Sequence, residues 1–400
     1  MNISSLKNYF RRSVAVASAL ALSAHCLALE PSAYIGGDCR SINGLYVSTG
    51  MGGVNGLLGD TAKENTFLAF VRDNGFNYLI MYGLTTMDPT SVEADQLASL
   101  ISRAKTEYGI HQVGVALGNK AGADRVVAYN NAHAEIERID VLNLEYEFWN
   151  HVDRTAAFNY VINVLGYFET LGASNNLETE IYIGWISAAE GAQLGDAADR
   201  ILVHFYRQTD QGIINYGIER LQYLAAANQK VRIAPIFSNE GPANTNDIPF
   251  MGEWLETHPN DQAFKTWLEG YNALSAPWKS NLEVMGASWF VYDKFLDVNV
   301  GAQSHINSHP VDQAVCEGGS ATFTVGTNAS AADYCWMTAG RCLADGGKFS
   351  GTRTASLTVS NVSSADIGRY YARVISYDPG NPASIMSGAA TLSLNTTCSP

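Results

Sequence analysis

Three polar side chains interrupt an apolar run over residues 141–148: Asn143, Glu145 and Glu147 alternate with Leu142, Leu144, Tyr146 and Phe148. In a β-strand, alternate residues point the same way, so all three would share one face. Two carboxylates two residues apart repel each other and cost free energy to desolvate. That repulsion raises the pKa of one member, which keeps a carboxyl protonated near neutral pH and equips it as a general acid. The pattern therefore points to acid–base chemistry. The plainer reading is a buried carboxylate pair bonded to Arg207 or to tyrosine hydroxyls.

Such a pair needs a scaffold. From about residue 44 to 300, apolar strand-like segments alternate with helical patterns. The strand segments fall at 45–50, 78–83, 112–118, 141–148, 180–186, 201–206, 231–237 and 284–292. Asp60–Thr61 and Thr90–Ser91 read as helix N-caps, and Gly109 and Gly172 as helix stops. Eight apolar strands separated by helices indicate parallel pairing buried on both faces. The count and a length of roughly 250 residues match an α/β fold of the (β/α)8 TIM-barrel type. A doubly wound open sheet is the alternative. It is disfavoured because no acidic residue closes the second strand behind the glycines of VSTGMGGVNGLLG. In a parallel barrel the working residues sit at the C-terminal strand ends, and Glu147 falls at the end of the fourth strand.

The chain has 400 residues, of which 46% are hydrophobic and 16% charged, a globular composition with room for one large and one small domain. The formal net charge of −14 disfavours nucleic acid and anionic lipid as partners. Twenty Tyr, 15 Phe and 7 Trp supply flat apolar surfaces. Most will pack in cores, and the remainder suit stacking on sugar rings.

Lys7, Arg11 and Arg12 precede an apolar stretch at 13–24 that is too short to span a bilayer. Residues 1–28 therefore read as a signal peptide, with cleavage after residue 24 or 28. Beyond it no apolar run is long enough for a membrane helix, so a secreted, periplasmic or cell-surface protein is expected. The six cysteines fit that compartment: Cys26 and Cys39 near the start, Cys316, Cys335, Cys342 and Cys398 in the last quarter. Cleavage after residue 24 would permit a Cys26–Cys39 bridge. Cys335 and Cys342 are spaced for a hairpin staple, and Cys316 pairing with Cys398 would close the C-terminal region. Four cysteines allow three connectivities, which remain open.

Residues 310–400 change character, with short segments rich in Thr, Ser, Val and Gly that suggest an antiparallel sandwich. Within them, DIGRYYARV at 366–374 resembles the D-x-G-x-Y-x-C signature of immunoglobulin-like domains through Asp366, Gly368 and Tyr370. Ala372 replaces the usual cysteine, and Trp336 takes the place of the core tryptophan. The resemblance implies an all-β sandwich with Tyr370 as its corner tyrosine. Fold alone assigns no function to it, and a spacer or adhesion module is the reading preferred.

In the large domain, spanning residues 29–305, the run Asp140-x-x-Asn143-x-Glu145-x-Glu147 resembles the D-x-x-D-x-D-x-E motif of family-18 glycoside hydrolases, the chitinases and endo-β-N-acetylglucosaminidases. The resemblance implies roles for individual residues. Glu147 is the acid/base, Glu145 orients the substrate's 2-acetamido group, and Asn143 and Asp140 are supporting positions. Tyr206, at the sixth strand's end, matches the tyrosine that bonds the acetamido oxygen, and Trp289 the tryptophan floor under the reacting sugar. In that family the acetamido group itself attacks the anomeric carbon, so one acid suffices and no protein nucleophile is needed. Glu145 and Asn143 each stand where the motif has Asp, and Arg207 follows Tyr206 where the family often has Asp.

Two other readings stay open. Glu240, at the end of the seventh strand, could pair with Glu147 as nucleophile in a two-carboxylate retaining glycosidase. Alternatively, the barrel binds glycan without cutting it. Tyr82, Asn119, Trp149, Asn150 and Trp185 fall at strand ends where they could line a sugar groove, and His204 shares strand parity with Tyr206. No histidine spacing suggests a metal site, and no cofactor is implied. The expectation is a monomeric glycoside hydrolase acting on a β-linked N-acetylglucosamine glycan.

Overall fold

The computed structural model describes residues 42–50, 56–207, 210, 212–240, 251–258, 260–295, 306–329, 332–338, 341–378 and 381–395. The expected signal peptide and Cys26, Cys39 and Cys398 lie outside the described residues.

Eight parallel strands close into a barrel: β1 (Ile42–Ser48), β2 (Tyr78–Tyr82), β3 (Gln112–Leu117), β4 (Val141–Leu144), β5 (Glu178–Ile183), β6 (Arg200–His204), β7 (Val231–Ser238) and β9 (Gly286–Phe290). Closure is made where β1 pairs with both β2 and β9, which rules out the open sheet. The short β8 (Leu282–Val284) pairs only with the start of β7. The single strand expected over 284–292 is therefore two pieces. They part at Met285, and the second opens on Gly286, whose φ of +113 and close approach to the Ile42 backbone only glycine tolerates.

Helices follow the strands, and their ends have local causes. Asp60 accepts hydrogen bonds from the Ala62 and Lys63 amides, and Ser91 from the Ala94 amide, at the starts of Thr61–Asp73 and Val92–Glu107. Gly109, with a φ of +79, stops the second of these. Gly172 does not stop the helix Arg154–Asn175, which runs on to a left-handed Asn176. Gly172 is needed instead for the chain's return: a Cβ there would lie 2.4 Å from the Leu177 carbonyl oxygen.

The strands bury two faces. Leu45, Val47, Leu79, Val113, Leu142, Ile181, Val203 and Phe237 pack outward against the helices. Ile42, Tyr46, Tyr78, Ile80, Val141, Tyr182 and Leu202 fill the inside. Gly44 and Gly114 flank Tyr78 on the neighbouring strands: a Cβ on Gly114 would collide with the Tyr78 hydroxyl, and one on Gly44 would strike Ser288 Oγ and press on the Tyr78 ring. They leave the space that this ring occupies. Its buried hydroxyl requires a partner, and it finds one across the barrel in Glu180 Oε1 at 2.7 Å.

Residues 306–395 form a β-rich region. Its main sheet has the order β11 (Gln313–Val315), β20 (Ala390–Leu394), β18 (Gly368–Asp378), β14 (Ala332–Thr338) and β15 (Arg341–Cys342), with β19 (Asn381–Met386) also on β18. A second sheet joins β12 (Ala321–Thr324), β17 (Ser356–Val359) and β16 (Phe349–Ser350), and β10 (Ile306–Ser308) pairs with β13 (Gly326–Thr327). Phe323, Trp336, Leu357, Val359, Tyr370 and Val374 pack in one core. Trp336 lies opposite Ala372 across β14 and β18, which leaves no cysteine there to bridge. The Tyr370 hydroxyl donates to the Asp366 carbonyl at 2.8 Å. Cys335 and Cys342 form the expected hairpin disulfide, with Cα atoms 5.7 Å apart. Cys316 is also disulfide-bonded, but the expected Cys316–Cys398 and Cys26–Cys39 pairings fall on residues outside those described.

Candidate active site

Strand β4 ends at Leu144, four residues short of the expected 148. The Glu145 amide still donates to the Leu117 carbonyl at 3.0 Å, so that one residue keeps the strand's parity. Asn143 and Glu145 consequently point into the barrel. The chain then leaves the sheet and turns through Phe148–Asn150. Glu147 is exposed at the rim, where its Oε2 accepts from Asn150 Nδ2 at 2.7 Å. The three polar residues therefore do not form one uniform face: two are interior and the third caps the mouth.

Asp140 is not part of this group. It lies three residues from Asn143, which on a strand means the opposite face. Its carboxylate accepts from Lys105 Nζ at 2.8 Å and from the Val113 amide at 2.8 Å, at the N-terminal end of the barrel. Burial raises its pKa, and the Lys105 charge opposes the rise.

Beneath Glu145 runs a hydrogen-bonded chain that only partly follows from the motif. Tyr46 donates to Glu145 Oε2 at 3.3 Å, and Asn143 Nδ2 donates to the Tyr46 hydroxyl at 3.3 Å and to Glu180 Oε1 at 2.7 Å. Arg200 Nε donates to the other oxygen of Glu180. Arg200 also reaches Glu178 at 3.4 Å, and Arg232 pairs with Glu178 at 3.2 Å. Burial would raise the Glu178 carboxyl, but the Arg200 and Arg232 charges outweigh it and hold the group down at about 2. Glu178, Glu180 and Arg200 were not expected as interior residues. The signal was present: E-T-E-I-Y-I in β5 repeats the same two-residue alternation, and Arg200 shares parity with His204 and Tyr206.

At the top of this chain the electrostatics favour a proton. Burial pushes the Glu145 carboxyl up to about 8; bonds from Tyr82 and Tyr46 oppose this, and the neighbouring Glu147 and Glu180 charges add to it. The carboxyl that burial favours in its protonated form is thus Glu145, the residue expected to orient the acetamido group. Neither member of the pair is bonded to Arg207, whose guanidinium lies 4.0 Å from the centre of the Tyr216 ring.

Aromatic rings surround the pair. Tyr82 lies 5.4 Å from Tyr46 and 6.1 Å from Phe290, centre to centre. Tyr182 contacts Trp149 at 5.6 Å and Tyr206 at 6.3 Å, and Tyr206 contacts Phe290 at 6.4 Å. Burial first, then the Tyr182, Glu145, Tyr82 and Glu240 groups, raise the Tyr206 hydroxyl's pKa. Ser238 Oγ donates to Glu240 Oε2 at 3.2 Å. Tyr82, Glu145, Glu147, Trp149, Tyr206 and Glu240 are therefore gathered at one mouth, with Asn143 buried beneath them, joined by Tyr46 and Tyr182, which the motif did not indicate. Trp185 stands at the rim, 51% exposed.

Of the expected residues, Trp289 lies elsewhere. Trp289 is 1% exposed and sits between the barrel and the helices, against Phe237 and Phe295, with its Nε1 donating to the Asn260 carbonyl. Ser288 and Phe290 take the interior positions on β9, so alternation turns Trp289 outward, and it is no sugar floor. Asn119 caps the helix Lys120–Ala132 by accepting from the Gly122 amide at 3.0 Å.

Among the described residues, no group of three or more His, Cys, Asp or Glu side chains is placed to hold a metal ion. Nor, among them, is any helix long and apolar enough to cross a membrane.

No protein-family model matches the chain, and no curated protein does either. Solved structures match over about a quarter of it. Domain I10 of titin is 19% identical, covering 23% of this chain and 97% of its own, with a TM-score of 0.19. The N-terminal Ig1-2 module of the Drosophila receptor protein tyrosine phosphatase DLAR is 19% identical, covering 24% and 52%, with a TM-score of 0.20. Domain D1 of Duf (Kirre) is 19% identical, covering 23% and 96%, with a TM-score of 0.20. The chain thus spans nearly all of the single domains and about half of the two-domain module.

Proposed function

We propose that the protein is an exported glycoside hydrolase that cleaves β-linked N-acetylglucosamine glycans by substrate-assisted retaining catalysis, and that its C-terminal β-rich region is an immunoglobulin-like module. One observation carries the enzymatic reading. Glu145 and Glu147 sit together at the C-terminal mouth of a closed parallel barrel, and burial pushes the Glu145 carboxyl up to about 8. A carboxyl held protonated near neutral pH, two residues from a second exposed one, suits acid–base work at a glycosidic oxygen.

In this reading Glu145 stores a proton and Glu147 presents one to the leaving oxygen. The substrate's acetamido oxygen bonds the anomeric carbon as the bond to the leaving oxygen breaks. Water then opens the cyclic intermediate, giving its proton to Glu147 and returning the anomeric centre with retention. Tyr182 and Tyr206 offer hydroxyls for the acetamido group, and Trp149 and Trp185 offer stacking faces. Export is supported by Lys7, Arg11 and Arg12 before the apolar stretch at 13–24, and the Cys335–Cys342 disulfide suits an oxidising compartment.

The test compares product formation from chitooligosaccharides with that from glucose oligomers lacking the 2-acetamido group. Hydrolysis of the first only, abolished by Glu147→Gln, is expected. Equal cleavage of both, or full turnover by Glu147→Gln, overturns the proposal. Because Glu240 follows the C-terminal end of β7, a two-carboxylate mechanism is the second reading. It alone expects Glu240→Gln to lose as much activity as Glu147→Gln. Tight glycan binding with no product over long incubation would mark a non-catalytic binding barrel.

A further inference from the structure

Beside the mouth, between the ends of β5 and β6, lies a cluster with the opposite electrostatic character. Arg220, on the helix Ile213–Leu224, is 3% exposed. Its guanidinium carbon lies 4.8 Å from the centre of the Trp185 ring and 4.7 Å from that of Tyr216. Nη2 donates to the Tyr216 carbonyl at 2.8 Å, while the buried Nη1 has no hydrogen-bond partner among the described residues. Arg207 approaches the same Tyr216 ring. His204 points to the same place, 5.7 Å from Tyr216 and 6.1 Å from Trp185, ring to ring. Both of its buried ring nitrogens also lack a partner among the described residues.

In a chain with a net charge of −14 this is an unexpected concentration of cationic and donor groups. Two guanidiniums share one ring, and neither is paired with a carboxylate among the described residues. Burial and the nearby Arg207 lower the proton affinity of Arg220, and burial together with Arg220 lowers the His204 pKa to about 3. A buried cation and orphaned donors are costly unless something pairs with them. A carboxylate supplies what is missing, because its two oxygens match a guanidinium fork. Trp185, half-exposed beside it, offers a flat face to a sugar ring. The cluster adjoins the carboxylate pair through Tyr206, which lies 4.1 Å from His204, and Tyr182.

We infer that Trp185, His204, Arg207, Tyr216 and Arg220 form a subsite for a sugar unit bearing a carboxylate, next to the sugar held at Glu145 and Glu147. The inference deepens the proposed function and rests on the mouth binding N-acetylated glycan. The preferred substrate is then an acidic glycan in which N-acetylglucosamine alternates with a carboxylated sugar. The carboxylate is carried either on a lactyl ether, as in N-acetylmuramic acid, or at C6 of the ring, as in glucuronic acid.

The test measures binding by titration calorimetry in the Glu147→Gln protein, where no turnover interferes. Three tetrasaccharides are compared: chitotetraose, the N-acetylglucosamine–N-acetylmuramic acid repeat, and the N-acetylglucosamine–glucuronic acid repeat. One acidic tetrasaccharide is expected to bind at least tenfold more tightly than chitotetraose, and its identity fixes the position of the carboxylate. Arg207→Gln and His204→Asn are expected to bring that ratio to within twofold, with chitotetraose binding little changed. Arg207 is only partly buried, so its variant keeps the test valid if replacements of Arg220 fail to fold. Equal binding of all three, or a preference that survives both substitutions, overturns the inference while leaving the hydrolase reading intact. If none of the three binds and the wild type does not turn over chitotetraose, both fall.

Discussion

Asn143 and Glu180 are register partners on the adjacent strands β4 and β5, both turned into the barrel, with the amide nitrogen 2.7 Å from the carboxylate. Both side chains are fully buried. The contact accounts for an amide rather than a carboxylate at position 143. A second carboxylate at 143 would meet Glu180 at hydrogen-bond distance with no proton between them. The amide instead donates once to Glu180 and once to Tyr46, and so ties the interior to Glu145.

Asn143→Asp is therefore expected to destabilise the barrel even though it restores the motif. Losing a bond to a charged group and leaving buried acceptors opposed costs about 1–3 kcal/mol. Urea denaturation at pH 7 measures it. The cost should shrink as pH falls and one of the two carboxyls takes up a proton. An unchanged midpoint would mean that Glu180 is not the constraint on this position.

Arg200 should be the most sensitive interior residue. It is 1% exposed and binds both Glu180 and Glu178. Arg200→Met leaves the buried Glu180 without its counter-charge, while the partly exposed Glu178 keeps Arg232, and breaking a buried pair in this way costs about 3–5 kcal/mol. Adding Glu180→Gln to that variant is expected to recover part of the loss, since it removes the stranded charge. A double variant no more stable than Arg200→Met alone would refute the pairing.

The barrel was readable because its strands are short apolar runs between capped helices, and Asp60, Ser91 and Gly109 mark those boundaries through ordinary backbone chemistry. The interior was harder to read. In parallel strands both faces are buried, so apolar alternation does not reveal which parity looks inward. On β9, Trp289 and Phe290 are adjacent aromatics, and nothing in that pair distinguishes floor from packing. The alternation from Asn143 to Glu147 was legible, but the strand's end at Leu144 was not, and it is that end which separates an interior Glu145 from an exposed Glu147. The Asp140–Asn143 spacing of three already excluded a common face. Glu180 and Arg200 escaped notice because each looks like an ordinary surface residue until the barrel closes them onto one another.

Glu145 makes stability depend on pH. Its carboxyl stands at about 8 against an ordinary 4.5, with burial the main cause. The folded state holds that proton more tightly than the unfolded chain does. Its contribution is thus complete below about 4.5 and is lost as pH rises towards 8, by on the order of a few kcal/mol. Glu178, held down at about 2, acts with the opposite sign and in another window: its contribution is present above 4.5 and lost as pH falls towards 2. Urea midpoints at pH 5, 6.5 and 8 are expected to fall for the wild type and to stay nearly level for Glu145→Gln. A parallel fall in both proteins would remove Glu145 as the cause.

Trp289 and Trp185 should separate cleanly in function. Trp289 packs among Phe237, Phe295 and the Asn260 carbonyl, so Trp289→Ala opens a cavity between barrel and helices and should cost about 3–5 kcal/mol. The milder Trp289→Phe is expected to lower the melting temperature while leaving the dissociation constant for chitotetraose within twofold. Trp185 is half-exposed at the rim and contributes little to the core. Trp185→Ala should leave melting nearly unchanged and weaken glycan binding about tenfold, the loss expected for one stacking face. Titration calorimetry and thermal melts on the same preparations decide between them. Weakened binding by Trp289→Phe without a change in melting temperature would return that tryptophan to the sugar site and contradict the outward packing of β9.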